Sequence, residues 1–139
     1  MKYCQAIHEL ALDIGCKLSQ SLGLGGDLLK GWPCQLWLNK YNFTPQTVGI
    51  TGGQLHSDVG FLTILQADEM VGGLEVLMND DSGTYIAVDP LPEASRTTLF
   101  VNLGDLAKVS HKIFKIRNNL LYMRIYMKST YILQFLWKF

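Results

Sequence analysis

The sequence has no acidic residue after Asp105 and neither glycine nor proline after Gly104, and its opening segment holds no uninterrupted apolar stretch. Each absence excludes something. The leading MKYCQAIHELALDIG breaks its apolar residues with Glu9 and Asp13, so it lacks the apolar heart of a signal peptide and a cytoplasmic location is expected. In the apolar run LLYMRIYMKSTYILQFLW (residues 120–137), Arg124 and Lys128 fall near the middle, where lipid makes each charge costly. No membrane span is therefore expected. Three cysteines (Cys4, Cys16, Cys34) make an odd set without a CxxC pair, which excludes a disulfide framework and a metal knuckle and leaves reduced thiols. With 48% hydrophobic residues in 139, disordered and collagen-like classes are also excluded.

What is present is unevenly distributed. Residues 1–105 carry all twelve acids with only five cations (Lys2, Lys17, Lys30, Lys40, Arg96), whereas the last 34 residues carry seven cations and no acid. The overall neutrality is an average over two unlike texts. Seven cations among aromatic residues invite a nucleic-acid reading, but no recognisable recognition module accompanies them, so no nucleic-acid partner is expected. The chain is expected to divide into residues 1–32, residues 33–108 and a basic, aromatic tail at 109–139.

Local patterns give these pieces structure. Ile7, Leu10, Ala11, Ile14 and Leu18 recur at three- and four-residue steps, which predicts an amphipathic helix over residues 3–22. Gly23-Leu24-Gly25-Gly26 follows it; without a preceding strand or a third spaced glycine this reads as a helix C-cap and turn rather than a phosphate loop. From Pro33 the text becomes short segments of strand character at Cys34–Phe43, Gln54–Asp58, Phe61–Gln66, Leu74–Met78, Tyr85–Val88 and Leu99–Leu103, separated by turn signals such as Thr51-Gly52-Gly53 and Asp89-Pro90-Leu91-Pro92. The expected fold is mostly β with an N-terminal helix. Six strands fall short of the eight of a double-sheeted jelly roll, so a partial, incomplete jelly roll is expected, with the tail unassigned.

One constellation has chemical content. On an extended strand residues i and i+2 share a face, so His56 and Asp58 in Gln54-Leu55-His56-Ser57-Asp58 offer an imidazole nitrogen and a carboxylate oxygen to a common point. That is two-thirds of the 2-His-1-carboxylate triad that holds non-haem Fe(II), in which three protein ligands on one octahedral face leave three positions open. Phe61, Leu62 and Thr63 follow closely enough to be candidates for the wall of such a site, and equally for the core.

The surrounding text sharpens the reading. Asn39-Lys40-Tyr41-Asn42-Phe43, then His56-Ser57-Asp58-Val59-Gly60-Phe61-Leu62-Thr63-Ile64-Leu65-Gln66, then Gly72-Gly73-Leu74-Glu75-Val76, then Val101-Asn102-Leu103-Gly104-Asp105 resemble in order the plant Fe(II)/2-oxoglutarate-dependent dioxygenase superfamily, most of all its auxin-oxidising branch. The resemblance covers residues 3–108. It implies a double-stranded β-helix with 1–32 packing on it, His56 and Asp58 as iron ligands, and Asn39 and Tyr41 beside 2-oxoglutarate, Tyr41 standing fifteen positions before His56 as the family's pattern asks. It further implies Fe(II) as cofactor, 2-oxoglutarate and O2 as cosubstrates, ascorbate as a reductant, and a small acid such as indole-3-acetic acid as substrate, in auxin catabolism. The family's second histidine and its Arg-x-Ser motif do not follow VNLGD here. His111, 53 positions after Asp58, is the one histidine left to act as third ligand. The competing expectation is a catalytically incompetent, truncated derivative lacking the distal histidine and the arginine.

Overall fold

The computed structural model describes residues 2–42, 44–67, 73–77, 83–88, 98–109, 122–126 and 130–137. The opening helix, α1 (Lys2–Ser21), forms where the apolar spacing predicts it. Its buried stripe is narrower than expected: Ile7, Ala11, Gly15 and Ser19 face inward, while Leu10 stays partly exposed at the flank. A stripe of such small residues lets the helix lie close on the sheet beneath it.

The helix ends as the glycine run predicts. Gly23 adopts φ 70°, its amide bonds Gln20 O at 3.1 Å, and the amide of Leu24 bonds Ser19 O at 2.9 Å. This is the Schellman pattern, which satisfies carbonyls the last turn leaves free and requires a left-handed residue where only glycine is unstrained. The buried Ser19 hydroxyl then donates to Leu24 O and Gly26 O, fastening the turn to the helix.

Eight strands follow: β1 (Cys34–Tyr41), β2 (Thr51–His56), β3 (Leu62–Ala67), β4 (Leu74–Leu77), β5 (Tyr85–Ala87), β6 (Phe100–Leu103), β7 (Tyr122–Tyr126) and β8 (Thr130–Trp137), with a short helix α2 (Asp105–Val109) after β6. The first six occupy the segments the turn signals delimit. They pair with β7 and β8 into two open, wholly antiparallel four-stranded sheets, ordered β1-β8-β3-β6 and β2-β7-β4-β5. The strand count therefore exceeds the six expected, and the surplus comes from the tail: β8 lies between β1 and β3, β7 between β2 and β4.

Strand periodicity sorts the first sheet into two faces. Leu62, Ile64 and Phe135 pack outward against Ile7, Ala11 and Leu29, joined by Phe61 and Ala107. Trp32 closes this cluster edge-on to Phe61, with ring centroids 5.6 Å apart. The inner face carries Leu65, which clusters with Leu74 and Val76 of the second sheet and with Tyr41. Of the three residues read as wall or core, Phe61 and Leu62 thus belong to the helix-side core, whereas Thr63 is buried on the inner face.

Truncating a buried phenylalanine costs about 3–5 kcal/mol, against about 0.5 kcal/mol or less for an exposed side chain. Phe135→Ala, 2% exposed in β8, is expected to lose the larger amount in urea unfolding, and Leu38→Ala, 64% exposed in β1, the smaller. Equal midpoints for the two variants would refute the central placement of β8.

Candidate metal centre

His56 is the last residue of β2, and Asp58 lies two residues further in the connection to β3. The imidazole Nδ1 stands 2.7 Å from the Gln54 carbonyl. A carbonyl only accepts, so Nδ1 carries the hydrogen and Nε2 is the ring nitrogen left to meet a metal. That nitrogen lies 3.9 Å from Asp58 Oδ1. Two donors about 2.0–2.2 Å from one ion and at right angles, as on one octahedral face, stand about 3 Å apart, so the two side chains come within about 1 Å of the separation a shared metal would set.

The two side chains differ in exposure. The His56 side chain is 47% accessible and that of Asp58 only 4%. Oδ1 of Asp58 accepts a bond from Gln134 Nε2 at 3.1 Å, but its buried Oδ2 has no partner among the described residues. An orphaned carboxylate oxygen out of water is costly unless something positive meets it. The chemistry of this donor set fits a divalent metal on both counts.

The loop carrying Asp58 is held by the VNLGD segment. Three consecutive amides, those of Gly104, Asp105 and Leu106, donate to Phe61 O (3.0 Å), Asp58 O (2.7 Å) and Gly60 O (3.1 Å). The Ser57 hydroxyl adds a bond to Asp105 Oδ2 at 2.8 Å. Such an approach leaves no room for a side chain at Gly104, where a β-carbon would be driven into the carbonyl oxygens of Gly60 and Asp58. Glycine is required there by proximity, not by backbone conformation.

Asn39 and Tyr41 alternate along β1 and share its inner face with Trp37, the register partner of Gln134. The structure therefore puts them on the face whose β8 neighbour reaches Asp58. Tyr41 is half-buried against Leu65, Leu74 and Val76, and this burial pushes its hydroxyl above the usual phenol range. It stays a proton donor at any physiological pH. Opposite Asn39 and Tyr41 the register places Ile132 and Thr130, so no arginine faces this pair from β8.

His111 lies outside the described residues. Among those residues no group of three His, Cys, Asp or Glu side chains forms a metal cluster. Among the described residues no helix is long and apolar enough to cross a membrane, and Cys4, Cys16 and Cys34 are free thiols. Gln134 escaped the sequence reading because a glutamine in an apolar run carries no spacing signal. Gly104 and Asp105 were visible as motif text, without the contacts that explain them.

An antiparallel double sheet of eight described strands, with a His-x-Asp pair where the chain passes from one sheet to the other, is the architecture of non-haem iron oxygenases. The model of the 2OG-Fe(II) oxygenase superfamily matches residues 32–119, and this chain belongs to that family. The 2-oxoglutarate-dependent dioxygenase DAO of Oryza sativa subsp. indica is 46% identical over 106 residues, covering 76% of this chain and 34% of the rice protein. The dioxygenase for auxin oxidation 1 from Arabidopsis thaliana, solved with 2-oxoglutarate, superposes with a TM-score of 0.84 at 43% identity, covering 99% of this chain and 50% of that one. JOX2, solved with 2OG, Fe and JA, has a TM-score of 0.75 at 27% identity, covering 99% and 40%. The chain thus spans about a third of its curated rice relative and half of the Arabidopsis structure.

Gly104→Ala is expected to cost at least about 1–3 kcal/mol, since two carbonyls must move to admit one methyl group. A urea midpoint equal to that of the unmutated chain would show that the clasp is loose. For Tyr41, alkaline difference spectra between the unmutated chain and Tyr41→Phe should show a phenol that ionises above pH 10. Because the folded chain holds that proton longer than the unfolded one, the folding contribution is intact below pH 10 and declines above it. A Tyr41 titration at or below pH 10 would contradict the burial.

Proposed function

We propose that this chain carries the core of an Fe(II)- and 2-oxoglutarate-dependent dioxygenase that oxidises a small acid of the indole-3-acetic acid type, with O2 as oxidant and ascorbate as reductant. The observation that carries the reading is the Asp58 carboxylate, buried with one oxygen unpartnered beside the free Nε2 of His56. Support for the substrate class comes from the Arabidopsis relative, whose name is a dioxygenase for auxin oxidation, and from the rice DAO protein.

In this reading His56 Nε2 and an Asp58 oxygen hold the iron, with His111 as candidate third ligand. When bound, the metal supplies the redox chemistry that couples decarboxylation of 2-oxoglutarate, giving succinate and CO2, to oxidation of the substrate. The chain's own contributions are positional. The Gln54 carbonyl fixes the imidazole tautomer, and the VNLGD amides fix the backbone of Asp58. Tyr41, kept protonated by burial, donates to the distal carboxylate of 2-oxoglutarate, with Asn39 on the same strand face.

A second reading, a catalytically incompetent derivative, is favoured by one observation: the β8 residues opposite Asn39 and Tyr41 are Ile132 and Thr130, not an arginine. A charge-assisted bond to that carboxylate contributes about 1.5–3 kcal/mol, or roughly ten- to a hundred-fold in affinity. Succinate formation from 2-oxoglutarate, with Fe(II), ascorbate and indole-3-acetic acid, separates the two. The oxygenase reading expects turnover that disappears in His56→Ala and a 2-oxoglutarate KM raised about ten- to a hundred-fold in Tyr41→Phe. Iron binding without turnover would establish the incompetent derivative, and absence of iron binding would refute the metal centre itself.

A further inference from the structure

Resting on the metal centre just described, one residue of the tail gains a role. Asp58 is anchored through its backbone by Asp105, but its side chain is set differently. Among the described residues the only hydrogen bond onto its carboxylate comes from Gln134 Nε2, at 3.1 Å on Oδ1, across 76 positions of sequence. Oδ1 is also the oxygen that stands nearest His56 Nε2. A carboxylate on a loop rotates about its side-chain torsions unless a donor fixes it, and here the donor is an amide on a central strand. Gln134 in turn has Leu65 of β3 and Trp37 of β1 as its register partners, so strands on both sides of β8 hold its backbone.

We propose that Gln134 is a positioning residue for the metal centre, turning the Asp58 carboxylate toward His56 so that β8 takes part in metal binding. An amide suits this task because it donates to the carboxylate without adding charge. A lysine or arginine would neutralise Asp58 and compete with the cation. An apolar residue would leave the buried carboxylate without any partner and free to turn away. Hydrogen bonds onto ligating carboxylates generally govern affinity in this way, and their loss weakens metal binding about 10–100-fold.

Isothermal titration of the full chain with Mn(II), a redox-stable stand-in for Fe(II), tests this without relying on turnover. Gln134→Met keeps the length and shape of the side chain and removes the donor; it should bind Mn(II) about 10–100-fold more weakly. Gln134→Asn keeps the amide but shortens its reach, and a similar weakening is expected; it decides the matter if the Met variant fails to fold. Unchanged Mn(II) affinity in a folded variant, even with a lowered urea midpoint, would overturn the proposal and leave Gln134 a packing residue. Two controls separate this from failure of the metal centre. Unmutated chain should bind and His56→Ala should not; absence of binding by the unmutated chain would overturn both readings together.

Discussion

The structure depends on one strand, β8, which enters the first sheet between β1 and β3. Strand β1 has no other pairing partner among the described strands, so its inward peptide groups find their hydrogen bonds only through β8. Without that strand β1 would keep two open edges, and its amides and carbonyls would have only water to satisfy them. Asn39 and Tyr41 are placed by β1, Phe135 of β8 fills the core beneath α1, and Gln134 reaches Asp58. A segment that contributes no residue to the motif text therefore underlies the helix-side core, the strand beside the metal centre and the carboxylate within it.

The same insertion brings together two texts of opposite charge. Strand β7, from the basic tail, runs between β2 and β4, and its register sets Arg124 opposite Glu75. The boundary visible in the composition is therefore not a boundary between separate layers, because each sheet takes one strand from the tail.

Legibility followed local chemistry. The first six strands could be read because glycine, proline and asparagine clusters punctuate them, and α1 because its apolar steps keep a helical period. His56 and Asp58 could be read because i and i+2 share a face. The tail strands could not. A central strand packed on both faces reads as a continuous apolar run instead of an alternation, and no glycine or proline marks where β7 ends and β8 begins. Gln134 was illegible for a further reason: its meaning comes from a register that only the assembled sheet defines. His111 remains a matter of spacing alone.

The electrostatics of Asp58 give the metal centre a warrant apart from family. A buried carboxylate presents two oxygens to be met and the Gln134 amide meets one, so Oδ2 of this 4% exposed side chain has no partner among the described residues. Natural chains keep such an oxygen where binding offsets its cost. A cation shared with His56 would satisfy the carboxylate, and because it binds the folded chain in preference to the unfolded one, it would stabilise the whole domain by mass action. The VNLGD clasp and Gln134 then share a purpose. They hold the carboxylate in place, the first by its backbone and the second by its oxygen, which would leave little reorganisation to a cation bound there.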